Sequence, residues 1–302
     1  MVFATFLSRE TLVASKKERP QKKENMAINT ISDFIKELQK IPKKGNFELY
    51  FRGHSDKDYV LEPSIYRSKR LISNENKIFK EFILRTPSDF LNEKSALEKL
   101  VKMQHYGLPT RLLDITTNPL VALYFACNEK SKQDGKVFAF KVPKDDIKYY
   151  DSDTVSIIAN IAKRPSNFSV EKIRHLKMNE FNDQDDLCYL LHEIKEEKSY
   201  FQNIINPSDI ERVVAVKVKQ NNNRIIKQSG AFLIFGINGK KILPAKIPND
   251  WIINLELKGV DFEINNSSKD NIIDELNLLG INEATLFPEL ENQAKYLKKY
   301  YG

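Results

Sequence analysis

Two stretches of this 302-residue chain concentrate side chains that bind anions and move protons: Phe51-Arg52-Gly53-His54 and Gln104-His105-Tyr106-Gly107-Leu108-Pro109-Thr110-Arg111-Leu112-Leu113-Asp114. An arginine presents a planar fork of donors that matches a phosphate or a carboxylate. A histidine near a carboxylate can be oriented as a base. Arg52 and Arg111 are therefore the candidate anion holders, and His105 with Asp114 the candidate acid–base groups. Structural roles compete with each of these. Arg52 could be a partly exposed arginine paired with Glu48, His105 a helix cap, and Arg111 with Asp114 an internal ion pair.

The elements that carry these residues are legible from periodicity. Phe47, Leu49 and Phe51 alternate with Glu48, Tyr50 and Arg52, the period of a half-buried strand. That pattern sends Arg52 away from the core beside Tyr50 and Glu48, and Gly53 permits a turn or a close approach. Pro63 keeps Leu61 to Arg67 from being a helix interior, so this stretch reads as a loop returning Ser64, Tyr66 and Arg67 toward the strand end. A helix from about Ser95 to Gln104 ends at Gly107. Leu108 to Thr117 then reads as a polar connection carrying Thr110, Arg111 and Asp114. It leads to Asn118 and Pro119, the cap and first turn of a helix over Leu120–Asn128 that is apolar nearly all round and so buried. A loop anchored in this way is rigid, a suitable place for a site.

Further helices are expected near 30–41, 78–83, 154–163, 184–199, 269–279 and 289–300, and strands over 136–142, 212–218, 228–235 and 251–257. Helices and strands interleave without a βαβ rhythm. The expectation is an α+β fold: a single large domain over 30–302, with a mixed, mainly antiparallel sheet flanked by helices. Residues 144–210 read as a looser helical insertion, and 1–29 as an N-terminal arm or linker. Apolar residues make up 41% and charged residues 29%. Lys and Arg number 48 against 41 Asp and Glu, a net charge of +7 that suits anionic partners such as nucleotides or nucleic acid. Cys127 and Cys188 fall in apolar helical patterns and read as reduced core residues, and no Cys/His spacing signals a metal. No apolar run reaches the length of a membrane span, and residues 1–15 lack a signal-peptide layout, so a cytoplasmic protein without a membrane partner is expected. Gly-x-Ser-x-Gly, Gly-x-x-x-x-Gly-Lys and Gly-x-Gly-x-x-Gly are all absent, which disfavours serine hydrolases, kinase-like enzymes and Rossmann-type NAD enzymes.

The ordered set Tyr50-Phe51-Arg52-Gly53-His54, Leu61-Glu62-Pro63-Ser64-Ile65, Gln104 to Asp114, Asn118 to Ala126, Gln228-Ser229-Gly230-Ala231-Phe232 and Leu286-Phe287-Pro288-Glu289-Leu290 resembles an FRG domain over roughly 30–300. The family takes its name from the Phe-Arg-Gly motif. Its bacterial and phage-borne members imply a toxin or anti-phage defence context, and with it an antitoxin or regulatory partner. His54 departs from the family, where glutamine is common; a hydrogen-bonding group is kept and titration is added.

One enzyme class needs none of the missing loops. ADP-ribosyltransferases hold NAD with an arginine or histidine on an early strand, small hydroxyl residues on a middle strand and a later glutamate. The Arg52 strand is similar to the first of these elements. The similarity implies NAD as substrate and a nucleic-acid or protein acceptor. Arg52 would lie on the NAD phosphates or nicotinamide ribose, with Tyr50, Tyr66 or Tyr106 stacked on nicotinamide. Gly53, His54, Arg67 and Thr110 complete the expected binding set. The glutamate, which would stabilise an oxocarbenium-like state, has no clear counterpart. Gln228 occupies its expected place as an amide, Glu289 and Glu291 lie in the terminal helix, and Asp114 is a rival. Two further readings stand beside the transferase. One is a non-enzymatic nucleotide or nucleic-acid sensor using Arg52, Arg67 and Arg111. The other is a nuclease-like hydrolase using His105 and Asp114, against which the lack of a carboxylate cluster for a metal counts.

Overall fold

The computed structural model describes residues 28–129, 132–253 and 262–302. All but the last two residues of the expected N-terminal arm, and 254–257 of the expected strand over 251–257, lie outside the described residues. The strands are β1 (Phe47–His54), β2 (Leu112–Thr116), β3 (Gly135–Pro143), β4 (Ile147–Tyr149), β5 (Val213–Lys217), β6 (Gly230–Phe235), β7 (Ile237–Asn238), β8 (Lys240–Pro244) and β9 (Glu263–Ile264). Seven of them form one open sheet in the order β4-β5-β6-β2-β1-β3-β9. Its pairs are antiparallel except β4 with β5, and β7 pairs with β8 as a separate hairpin. Helices flank the sheet. The molecule is a single α+β domain with a mixed, mainly antiparallel sheet.

The helix Pro119–Cys127 forms the floor beneath β1. The Asn118 side chain caps it by accepting from the Leu120 N–H at 3.0 Å, and Pro119 occupies a first-turn position whose N–H needs no partner. Val121, Ala122, Leu123, Tyr124 and Ala126 are all buried, as an all-round apolar helix requires. It lies so close to β1 that a Cβ added to Gly53 would stand 1.9 Å from the Ala122 carbonyl oxygen and 2.6 Å from the Ala126 nitrogen. Gly53 thus serves close approach and not a turn, and β1 continues through it to His54. The neighbouring helix Ala96–His105 opens with a Ser95–Glu98 capping box. Beyond it Gly107 takes a left-handed φ of +82°.

Three expectations need correction. Leu112–Thr116 is a strand at the centre of the sheet, not a connecting loop. Leu112 packs among the helices and Leu113 and Ile115 on the opposite face, and burial on both sides removes the alternation that marks a half-exposed strand. Tyr50 is fully buried for the same reason, in the layer with Phe140, Val142, Leu233 and Trp251. The 144–210 region contributes β4 to the sheet edge and packs tightly. Val155, Ile158 and Ala159 share a core with the helix Ala96–His105, and Ile157, Phe168, Phe181, Leu190 and Phe201 form another. A short helix, Asn223–Lys227, leads into β6. Among the described residues no helix is long and apolar enough to cross a membrane.

A buried ionic cluster ties the layers together. Arg111, fully buried, donates to both Glu75 oxygens at 3.0 and 2.5 Å and to the Phe235 carbonyl at 3.0 Å. Lys241, equally buried, lies 3.2 Å from Glu75 and donates to the carbonyls of Ala162 and Arg164. Burial holds the Lys241 ammonium down to about 8, with Glu75 opposing.

Candidate functional site

β1 and β2 meet at Phe51 opposite Thr116, and Arg52 sits just past this pair. Its Nη1 donates to the Asp114 carbonyl at 2.7 Å, a main-chain acceptor on the neighbouring strand that is met here by a side chain. Its Nε donates to His54 Nε2 at 2.9 Å. The Asp114 carboxylate stands 3.8 Å from Nη1, and the Arg52 side chain is 17% exposed. Nη2 has no partner among the described residues and is available to a ligand.

His54 holds the guanidinium from behind. It is 3% exposed, and its Nδ1 is sealed from solvent beside the Tyr59 backbone. Because Nε2 accepts from Arg52, the proton of the neutral ring is on Nδ1. Burial first, then the charges of Arg52 and Arg67, push the imidazole down to about 3.

The cleft beside Arg52 has a volume of about 300 Å3 and lies between the helices Ala96–His105 and Pro119–Cys127. Asp114 accepts from Gln104 Nε2 at 2.8 Å, and Gln104 Oε1 accepts in turn from the Thr110 hydroxyl. Arg67 and Arg224 line the walls, and among the described residues neither pairs with a carboxylate. The Arg224 guanidinium lies 4.8 Å above the Phe287 ring. Glu129 completes the lining and accepts from the buried Ser55 hydroxyl. Thr116 donates to the Gln228 carbonyl at 2.7 Å, fixing the entry to β6. Three arginines thus face two carboxylates, a balance that favours an anionic ligand.

His105 lines the same cleft with its Nε2 3.8 Å from Glu289 Oε1. Burial lowers its imidazole below the ordinary value, helped by Arg224 and opposed by Glu289. Among the described residues no cluster of His, Cys, Asp and Glu could hold a metal ion.

The structure gathers Arg52, Gly53, His54, Arg67, His105, Asp114 and Gln228 around one cleft. It places the other expected residues elsewhere. Arg111 belongs to the buried cluster with Glu75, so it neither holds a ligand nor pairs with Asp114. Tyr50 donates to Glu48 at 3.0 Å within the core, and Glu48 pairs with Lys217 at 2.8 Å, which leaves no role for Glu48 at Arg52. Burial raises the Tyr50 phenol well above its ordinary value. Tyr66 packs on the same core layer and donates weakly to the Gly236 carbonyl at 3.5 Å, its phenol raised by burial to about 12. Tyr106 points to an adjacent groove, and Thr110 acts through Gln104 and lies outside the lining. The Gln228 amide lines the cleft while donating to the Leu286 carbonyl at 3.1 Å. Sequence reasoning passed over Gln104, Glu129 and Arg224 as site residues. Gln104 sits four residues from Leu108 in the motif itself, whereas Arg224 had a weak signal, the first-turn position after the Asn222 cap.

No curated protein and no solved structure matches the chain. The FRG domain family matches over residues 47–135, a shorter span than the resemblance over 30–300 suggests. That span carries β1, β2, both cleft helices and Arg52, His54, His105 and Asp114: over residues 47–135 the chain matches the FRG domain.

Proposed function

We propose that the cleft binds the phosphate-bearing part of a nucleotide, and that the chain is an ADP-ribosyltransferase-like effector that moves ADP-ribose from NAD to a macromolecule. The observation that carries the reading is Arg52, braced by a neutral histidine and a main-chain carbonyl, with Nη2 left for an anion and, among the described residues, Arg67 and Arg224 without a carboxylate partner nearby. A guanidinium braced on two sides needs no reorganisation to meet a phosphate. In this reading Asp114, steadied by Gln104, takes the part of the carboxylate that stabilises positive charge on the nicotinamide ribose. The ribose C1′–nitrogen bond breaks, and its electron pair leaves with nicotinamide, which departs neutral. A lone pair of the acceptor forms the new bond to C1′ and the acceptor gives up a proton.

The test is incubation of the purified protein with NAD labelled in its adenylate half, alone and with RNA, DNA or cell lysate. Released nicotinamide and label on macromolecules are the readouts, and both should vanish in Arg52→Ala. Expression should also slow bacterial growth, with relief by the same substitution. Nucleotide binding through Arg52 without turnover would replace the transferase by a non-enzymatic sensor.

A further inference from the structure

A second groove of about 230 Å3 opens beside the cleft and shares Val101, His105 and Asn222 with it. Tyr106 and Tyr150 flank it, 66% and 36% exposed. Asn221 and Asn222 line it as well, the Asn222 side-chain oxygen accepting from the Arg224 N–H at 2.8 Å. Its charges cancel in pairs: Lys102 with Glu93 at 3.0 Å and Lys219 with Glu98 at 2.7 Å. The Lys219 ammonium lies 4.8 Å over the Tyr150 ring, and a groove with the exposed Tyr106 ring, side-chain amides and balanced charge suits a neutral, planar group rich in hydrogen-bonding edges.

His105 stands at the junction of the two spaces. Glu289, from the segment before the last helix, reaches it across most of the chain. One of its oxygens accepts from Asn292 at 2.9 Å, while Oε1, 3.8 Å from His105 Nε2, is buried with no hydrogen-bond partner among the described residues. The segment is pinned by Gln293, whose amide donates to the carbonyls of Ala284 at 2.7 Å and Phe287 at 2.9 Å. An orphaned buried carboxylate oxygen aimed at an imidazole is costly unless the imidazole turns to meet it. That pairing is how a carboxylate fixes the orientation of a histidine base.

We propose that the second groove holds a nucleobase of a single-stranded nucleic-acid acceptor, with Glu289 positioning His105 to take the proton that the base releases. The proposal rests on the transferase reading for its chemistry but not for its binding step. A base N–H nitrogen supplies the lone pair for the new bond to C1′, its proton passes to the unprotonated nitrogen of His105, and nicotinamide leaves with the electrons of the broken bond. The charged groups facing His105 are Arg224, Lys102 and Glu289.

The binding step is tested by fluorescence anisotropy with labelled single-stranded DNA and RNA homopolymers, against a duplex control and without NAD. The parent should bind single strands. The double variant Tyr106→Ala, Tyr150→Ala should bind them at least tenfold more weakly, the scale of one lost base–aromatic stack, with NAD binding and melting temperature unchanged. No single-strand binding by the parent, or equal binding by the double variant, overturns the proposal. Absence of NAD turnover would sink the transferase reading while leaving this binding result standing. The positioning role is tested by Glu289→Gln, which should lower kcat for transfer about tenfold and shift its pH profile at constant KM for NAD, with Glu289→Asp recovering part of the loss. An unchanged kcat and profile overturns that role, and label found on protein alone overturns the nucleobase.

Discussion

His54 Nε2 accepts the Nε–H of Arg52 at 2.9 Å, from two residues along the same strand. A protonated His54 could not accept this bond, so the strand end is built for a neutral imidazole. The unfolded chain takes up the His54 proton near 6.5, the folded chain only near 3. Between these values the unfolded state binds more protons, so this contribution to stability is complete above about pH 6.5 and is lost as pH falls toward 3. The slope is at most about 1.4 kcal/mol per pH unit. His54→Gln keeps an acceptor for Arg52 and removes the titration. Urea denaturation at pH 7 and pH 5 should show the parent losing roughly 2 kcal/mol more than the variant over that interval. Parallel losses would show that His54 is not held neutral.

Replacing Arg52 should separate fold from ligand. Its side chain is partly solvated, so water can serve His54 Nε2 and the Asp114 carbonyl once it is gone. Arg52→Ala should melt within a few degrees of the parent. Its affinity for NAD or another nucleotide should fall roughly 10- to 100-fold, the worth of charge-assisted hydrogen bonds at about 1.5–3 kcal/mol. Arg52→Lys should recover little, because an ammonium cannot reach both braces and a ligand with one rigid fork. Calorimetric titration beside thermal melting reads both quantities, and intact affinity in Arg52→Ala would remove the arginine from the site.

Arg111 carries the opposite signature. Glu75→Ala would strand Arg111 and Lys241, both fully buried, without their shared carboxylate. Loss of one partner from such a cluster costs about 3–5 kcal/mol. Urea denaturation should show a fall of that size, while nucleotide affinity measured in the remaining folded protein stays at the parental value. A loss below about 1 kcal/mol would show that water reaches the cluster.

Gly53→Ala tests the contact between strand and helix. The new methyl would overlap main-chain atoms of Ala122 and Ala126, which cannot move without shifting the helix Pro119–Cys127. A destabilisation of several kcal/mol is expected, visible as low soluble yield or a depressed melting temperature. A variant that melts with the parent would mean that the helix can retreat from β1.

Legibility varied with the range of the interaction that decides each feature. β1 and the helix Pro119–Cys127 follow from local pattern and from the Asn118 cap, and both stand where the sequence puts them. β2 could not be read this way, because burial on both faces erases alternation over five residues and the single exposed position, Asp114, resembles a loop residue. The same blindness misdirected Tyr50, whose solvent-facing parity is right for a two-layer fold but is covered here by Trp251 and Phe140. In the cleft, Arg52, His54 and Asp114 come from neighbouring strands and announce themselves as motifs. The approach of Glu289 to His105, and of Arg224 to the cleft, depends on how distant segments close over the sheet, and no local spacing encodes it.

The order of strands has a consequence for where this domain can be cut. β2 lies between β1 and β6, yet β6 begins at Gly230, far beyond the residues 47–135 that match the family. A fragment limited to the matched residues would present the bare hydrogen-bonding edge of β2, together with Leu113 and Ile115, to any other chain with a strand to add. Such a fragment is expected to self-associate, because in this chain the strand that closes that edge is β6. The segment recognisable by sequence is shorter than the segment that can stand alone.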